Sequence, residues 1–287
     1  MLFHQIDVFT DELTRGNAVA VVHGADGLPD ETMAGFARWT NLAETTFLLA
    51  PTTPAADYRV RIFTPVRELP FAGHPTLGSA RAWLEAGGQP ARDHVVQECG
   101  VGLVEIRREG ARLAFAAPPL VRGGPVDGAD VAHLAGALGV GPEEVVDAQW
   151  VDNGPGWVAL LLRDAAAVLA LEPDRAAFAP FGSIGVAGLY EPGSPVALEV
   201  RAFVPQNGLG EDPVTGSLNA SLAQWLIGTG RLPRRYVASQ GSRLHRRGRV
   251  HVADVDGEIW VGGDTVVGIA GTVDLPAGRS DDSGTDR

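Results

Sequence analysis

Two stretches of the chain carry residue types that can move protons and hold small acids. One runs Arg61-Ile-Phe-Thr-Pro65 and then Gly73-His-Pro-Thr-Leu-Gly-Ser79. The other runs Arg201-Ala-Phe-Val-Pro205 and then Glu211-Asp-Pro-Val-Thr-Gly-Ser217. Both read Arg-x-Phe-x-Pro, followed by a polar residue before proline and then Gly-Ser. Laid side by side, they put His74 and Asp212 at matching places in two copies of one unit, a duplication followed by chemical divergence. An imidazole gives or takes a proton near neutral pH, and a carboxylate beside it can orient it or hold an amine. In each copy an alternating strand leads through a turn into a helix. The first backbone N–H groups of that helix have no intrahelical partner and favour anions. Two such helix starts facing each other across a cleft would grip a small acid.

Glu44, set among Leu42, Ala43 and Phe47, is on its own better read as a solvated strand-edge carboxylate, though its apolar neighbours could desolvate it. A base that takes a proton from carbon needs a pKa lifted toward neutrality, which an apolar setting gives a carboxylate. Taken singly, each residue also has a plain structural reading. Glu44 fits a solvated strand-edge carboxylate, His74 a helix cap, and Asp212 before Pro213 a helix N-cap. The glycines fit tight turns, and Arg61 and Arg201 fit strand-face or ion-pair residues.

Composition removes whole classes of chemistry. All 23 basic residues are Arg, so a Schiff-base lysine and a Walker-type phosphate loop are excluded. A net charge of −12 argues against a nucleic-acid phosphate track. The single Cys99 forms no internal disulfide and fits a reducing cytosol. The most apolar run, Trp157 to Leu171, is broken by Arg163-Asp164, so no membrane span is expected. Asp7 and Asp11 close behind Met1-Leu-Phe-His do not read as a signal peptide, so a cytoplasmic location follows. His245 and His251 sit among Arg243, Arg246, Arg247 and Arg249 without the carboxylate or Cys spacing of a metal site, which leaves a solvated basic face. Ser79 and Ser217 lack the Gly-x-Ser-x-Gly elbow of a serine hydrolase.

Alternating α and β elements must position these groups. Strands are expected over residues 2 to 8, Ala18–Val22 after a Gly16-Asn17 turn, and Tyr58–Ile62, where apolar residues alternate with Arg59 and Arg61. Helices are expected over Glu31–Trp39, with Met33, Phe36 and Ala37 on one face, and over Thr76–Glu85, stopped by Gly87-Gly88. A hairpin turns at Glu109-Gly110. The stretch Pro118 to Gly128 reads as a linker and divides the chain into lobes of residues 1–118 and 119–264. In the second lobe helices are expected over Asp130–Leu138, Ala165–Leu171 and Thr215–Ile227. Strands are expected over Trp157–Leu162, an alternating Leu198–Val204, Val237–Gln240, Arg249–Val255 and Glu258–Gly262. A strand Thr265–Val273 can cross back to complete the first lobe. The last fourteen residues, Asp274 to Arg287, are polar and read as disordered.

Together, Asn41-Leu-Ala-Glu-Thr-Thr-Phe47, Arg61-Ile-Phe-Thr-Pro65, Glu68-Leu-Pro-Phe-Ala-Gly-His-Pro75, Asn153-Gly-Pro155 and Glu211-Asp-Pro-Val-Thr-Gly-Ser217 closely resemble the phenazine-biosynthesis isomerase (PhzF-like) family nearly end to end. The resemblance implies a fold similar to diaminopimelate epimerase: two related α/β (α+β) lobes, each a mixed sheet wrapped round a central helix, with the site between them. It implies a cofactor-free, proton-shuttling isomerase, often a homodimer, whose best-known member acts on trans-2,3-dihydro-3-hydroxyanthranilate. Glu44 takes the place of the catalytic carboxylate, His74 and Asp212 of the assisting pair, and the turns at Gly73 and Gly216-Ser217 of the substrate's backbone donors. The chain departs from the phenazine enzymes at Ala43, where they usually have Ser. It also lacks the two thiols that serve as acid and base in the related epimerases and racemases. The leading expectation is therefore an isomerase of a small carboxylate-bearing metabolite. Its rivals are a lyase or tautomerase on an unrelated acid and a catalytically idle relative that binds a metabolite or a partner protein.

Overall fold

The computed structural model describes residues 1–178, 180–205 and 210–276. Strand Leu2–Val8 lies antiparallel to Asn17–Val22. The chain then crosses through helix α1 (Asp30–Thr40) to strand Glu44–Leu49, which runs parallel to Asn17–Val22. Strand Tyr58–Phe63 follows antiparallel, meets the short Glu68–Leu69, and leads into α2 (Gly73–Glu85). Val95–Cys99 returns parallel to Tyr58–Phe63, and the hairpin Gly102–Glu109 with Arg112–Ala116 closes the half.

The second half repeats this order. After α3 (Gly128–Leu138), Val145–Asp152 lies antiparallel to Trp157–Leu162, which crosses through α4 (Ala165–Ala170) to a parallel Ser183–Leu189. Leu198–Val204 and the short Gly210–Asp212 lead into α5 (Gly216–Gly228). Arg235–Gln240 then returns parallel to Leu198–Val204 and continues into Gly248–Val255 and Glu258–Gly263. One strand is exchanged each way: Arg122–Pro125, inside the expected linker, pairs with Val145–Asp152, and Thr265–Thr272 pairs with Leu2–Val8. The halves join edge to edge where Glu258–Gly263 pairs with Arg112–Ala116.

The two central helices are apolar on nearly every side because strands surround them. Leu77, Ala80 and Ala82 of α2 and Leu218, Ala220, Leu222 and Ala223 of α5 are fully buried in one core cluster that runs through both halves. Truncating such a side chain, as in Leu77→Ala, costs about 2–5 kcal/mol. Their buried polar residues are bonded to the sheet: Gln97 donates to Thr76 at 3.0 Å, Ser79 to Thr46 at 2.9 Å, and Asn219 to Gln240 at 2.9 Å. Smaller clusters lie under α1 and around α3 and α4.

The architecture is the expected one, two alike α/β halves each wrapped round a central helix, with three local differences. Helix α2 starts at Gly73 rather than Thr76, because proline is tolerated in a first turn, where its missing N–H has no partner to lose. The alternation in Leu198–Val204 marks no solvent face, since all seven residues are buried. And the two motifs align in a different frame. Phe63 pairs with Glu68 as Phe203 pairs with Glu211, and Ile62 with Leu69 as Ala202 with Asp212. Asp212 therefore matches Leu69, and His74 matches Ser217, each following the glycine that starts its helix. The sequence frame had slipped by aligning on Gly78-Ser79. Of the tail expected to be disordered, residues 277–287 lie outside the described residues, while Leu275 packs against the cluster containing Met33 and Phe36.

Candidate active site

Glu44 is the first residue of its strand, held opposite Val19 by parallel pairing. Its side chain is 13% exposed, and its Oε2 is buried without a hydrogen-bond partner. Burial lifts its pKa well above the carboxylate range, and the charge of Asp212 lifts it further. The plain reading of Glu44 as a solvated edge carboxylate fails.

His74 is the second residue of α2, whose N-cap is Ala72 without a side-chain bond, so the imidazole is not a cap. Its Nε2 is buried and lies 3.3 Å from Oε2 of Glu44, close but not aligned as a hydrogen bond, with no other partner. Burial pushes the ring's pKa down to about 3 against a backbone hydrogen bond to Ala18, so the imidazole is neutral at pH 7. Two titratable atoms thus face each other, each without any other hydrogen-bond partner.

Asp212 is held rather than bare. Its Oδ1 accepts from Nδ2 of Asn17 at 2.9 Å and its Oδ2 from the hydroxyl of Thr215 at 2.6 Å. Burial raises its pKa to about 6 against these two donors. It does not cap α5, which begins at Gly216 with Thr215 at the N-cap. Behind Thr215, Gln240 donates from Nε2 to the Thr215 hydroxyl at 2.9 Å and to the Asp212 carbonyl at 3.1 Å, and accepts the Thr215 backbone N–H at 3.0 Å.

Asn17 ties the halves together. Its amide also donates to the Val214 carbonyl at 2.9 Å and lies 3.3 Å from Nδ1 of His74. Sequence reasoning placed Asn17 only in a turn and Gln240 only at a strand end. The available signal was an amide directly bordering an apolar strand, Ala18–Val22 or Val237–Ser239, a place where a polar side chain needs a buried partner.

The two helix starts meet. A Cβ added to either Gly73 or Gly216 would lie 3.2 Å from the other's Cα, and Phe115 presses on both, so no larger residue fits this contact. The backbone N–H groups of Gly73, His74, Gly216 and Ser217 lie in these first turns, where helices leave donors without intrahelical partners. Ser217 Oγ accepts from Trp157 Nε1 at 3.0 Å, which leaves the hydroxyl hydrogen free to donate, and its carbonyl accepts from Asn153 at 3.0 Å. All six sequence-derived site residues therefore gather at one seam between the halves. Two surface cavities of about 490 and 310 Å³ lie elsewhere and hold none of the six. Among the described residues no group of three or more His, Cys, Asp or Glu is placed to hold a metal ion, and no helix is long and apolar enough to cross a membrane.

The remaining assignments resolve as follows. Arg61 and Arg201 are ion-pair residues, bonded to Glu68 and Glu211. The basic stretch after residue 242 is solvated at Arg243, His245 and Arg247, and it also bonds to the first half: Arg246 donates to the carbonyls of Thr14 and Gly16, and Arg15 donates to that of His245. It steadies the loop that ends at Asn17.

Comparison with known proteins identifies the family. The profile of the family described as Phenazine biosynthesis-like protein matches residues 6–272. The chain is 35% identical to antisense-enhancing sequence 1 of Schizosaccharomyces pombe, covering 94% of this chain and 97% of that protein. It is 35% identical to the trans-2,3-dihydro-3-hydroxyanthranilate isomerase of Pseudomonas aeruginosa, covering 86% and 87%. Its fold matches the crystal structure of a PhzF-family phenazine biosynthesis protein from Bacillus anthracis with a TM-score of 0.82 at 23% identity, covering 95% and 98%. From residue 6 to residue 272 the chain belongs to the phenazine biosynthesis-like (PhzF) family, and it is an isomerase.

Proposed function

We propose that the chain moves a proton between two carbons of a small carboxylate-bearing metabolite, with Glu44 as the base and no cofactor. The observation that carries this reading is the bare pair of Glu44 Oε2 and His74 Nε2, 3.3 Å apart and buried beside two helix starts. Ionised Glu44 takes a proton from a carbon next to unsaturation. The electron pair of that C–H bond moves into the unsaturated system, and the protonated Glu44 returns the proton to a second carbon, so the atoms of the substrate are conserved. Charge that develops on the substrate meets the fixed backbone dipoles of α2 and α5 and the Ser217 hydroxyl, which need no reorganisation. Neutral His74 stays beside Glu44 as the weaker base of the pair, so the proton resides on Glu44 between the two carbons. Asp212, fixed by Asn17 and Thr215, raises the basicity of Glu44 through its charge and offers a carboxylate to a substrate amine. The same reading takes the chain as a cytoplasmic homodimer.

Trans-2,3-dihydro-3-hydroxyanthranilate, the substrate named for the Pseudomonas aeruginosa relative, is the first acid to test. Incubation in deuterated water, read by NMR and mass spectrometry, should show isomerised product with deuterium at one carbon only. A panel of small unsaturated acids that neither isomerise nor exchange would refute the reading, and binding without exchange would make the chain a metabolite-binding relative.

A further inference from the structure

Three contacts converge on the Asn17 amide nitrogen, which owns only two hydrogens. The side chain is buried. Its Nδ2 lies 2.9 Å from Asp212 Oδ1, 2.9 Å from the Val214 carbonyl oxygen and 3.3 Å from His74 Nδ1. An ionised carboxylate and a carbonyl only accept, so the two shorter contacts take both amide hydrogens. None remains for His74, and an amide nitrogen does not accept. The ring's one hydrogen therefore sits on Nδ1 and goes to the backbone of Ala18, since Nε2 has no hydrogen-bond partner. In that tautomer Nε2 presents an unprotonated lone pair to Glu44 Oε2 at 3.3 Å.

The amide is fixed from both halves. Asn17 opens its strand opposite Val8. In the loop before it, Asp7 Oδ2 accepts the backbone N–H groups of Arg15 at 3.0 Å and Gly16 at 3.2 Å, while Arg246 of the second half donates to the Thr14 and Gly16 carbonyls at 3.1 and 3.4 Å. A Cβ at Gly16 would run into the Val8 carbonyl, so the loop closes tightly just ahead of Asn17. Ser217, the match of His74 in the second half, is tied instead by Trp157 and Asn153 of its own half.

We propose that Asn17 is a positioning residue of the proton transfer: one amide hydrogen holds Asp212 ionised across the seam, and the commitment of both hydrogens leaves His74 Nε2 free to accept from protonated Glu44. The proposal rests on the isomerase reading above and adds the residue that joins its two acids. A hydrogen bond to the charged form of a carboxyl favours that form, so loss of the Asn17 donor shifts the titration of Asp212 upward. The other groups facing Asp212 are the Thr215 hydroxyl, which also donates to it, neutral His74 beyond the Asn17 amide, and the carboxyl groups of Glu44 and Glu211, the latter paired with Arg201.

The free protein tests this without any substrate. In nitrogen NMR of the labelled parent, the ring signals that vanish in His74→Gln should show a protonated Nδ1 and a bare Nε2. In carbon NMR the carboxyl signal that vanishes in Asp212→Asn should titrate with a midpoint of about 6. Asn17→Leu should raise that midpoint by about 1 pH unit, the worth of one hydrogen bond to a charge. Asn17→Ser keeps one donor and should give a smaller shift in the same direction, which serves if the leucine variant does not fold. Arg246→Met loosens the same loop without touching the amide, so it should lower the melting temperature and leave the midpoint in place. A parental Nε2 that carries the proton, a midpoint unmoved by the Asn17 variants, or an equal shift in Arg246→Met would overturn the proposal. Deuterium exchange into small acids judges the isomerase reading separately. With a turned-over acid, the acid limb of its pH profile should follow the Asp212 midpoint in Asn17→Leu, and an unmoved limb would deny Asn17 any part in the reaction.

Discussion

Arg61 and Arg201 make the same bonds in two different settings. Each grips a glutamate through both carboxylate oxygens, Glu68 at 2.7 Å twice and Glu211 at 2.9 and 2.8 Å, and each guanidinium lies 5.1 Å from a phenylalanine ring two residues on. In the second half the pair is sealed, with side chains 5% and 3% exposed, because the α4 segment closes over it and its Val168 and Leu171 carbonyls accept from Arg201. In the first half the pair is 24% and 41% exposed and shares Arg61 with Asp30 from α1. The sealed pair anchors the residue before Asp212, so the second half is a rigid holder of a fixed carboxylate. The open pair anchors only Leu69, and the first half carries Glu44 and His74 elsewhere, at the starts of a strand and a helix.

That contrast breaks most easily at the arginines. Arg201→Met removes a guanidinium from a dry interior that still contains Glu211, and should cost about 3–5 kcal/mol. Arg61→Met should cost only about 0–1 kcal/mol, because water already screens its pair. Urea unfolding of the two variants side by side checks this, and equal losses would mean that the halves are not differently sealed.

The glycine contact sharpens the comparison. A Cβ at Gly73 would approach Phe115 to 2.6 Å, whereas at Gly216 the nearest atoms are 3.2 Å away. Gly73→Ala should therefore lose about 1–3 kcal/mol as Phe115 is displaced, and Gly216→Ala distinctly less. The same unfolding assay gives the order, and a reversed order would place the tighter side of the seam in the second half.

The acids should also separate in pH. Burial raises the pKa of Asp212 from 3.8 to about 6, so the folded state holds that proton more tightly than the unfolded chain. Its contribution to stability is lost as pH rises from 3.8 to about 6 and stays lost above. His74 acts oppositely: lowered from 6.5 to about 3, it removes stability as pH falls through that window. Asp212→Asn should gain stability relative to the parent between pH 4 and 6, and His74→Gln relative to the parent as pH drops below 6.5, both read from melting temperatures across pH. Flat differences would show that neither group is desolvated. The smallest effect belongs to Cys99, half-buried and lining the cavity beside Arg61 and Glu68, which holds none of the six site residues. Cys99→Ser should leave turnover unchanged, and a loss would bring a thiol into the chemistry.

Much of this was legible beforehand, for identifiable reasons. The strands and helices around the two motifs announced themselves through periodicity, His74 and Asp212 stood out in the repeated motifs, and Glu44 was singled out only by the family resemblance, since alone it reads as a solvated strand-edge carboxylate. The slip that matched His74 with Asp212 came from a recurring Gly-Ser pair. Only the ladder, by pairing Phe63 with Glu68 and Phe203 with Glu211, fixes the true frame. Asn17 and Gln240 were overlooked because a neutral amide has no chemistry of its own. Each matters only through partners far along the chain, 195 residues away for Asn17 and Asp212. The burial of both faces of Leu198–Val204 depends on which segment folds over it, which alternation cannot report.

The central claim is that the Glu44 carboxylate moves the proton, while the second half holds the substrate, meets its developing charge and supplies Asp212. Glu44→Gln keeps the size of the side chain and removes the basic oxygen. With a turned-over acid in hand, exchange of its carbon-bound proton with deuterated water should fall by roughly 10²–10⁴ in this variant, while the acid still binds with nearly parental affinity. Exchange at the parental rate would contradict the account.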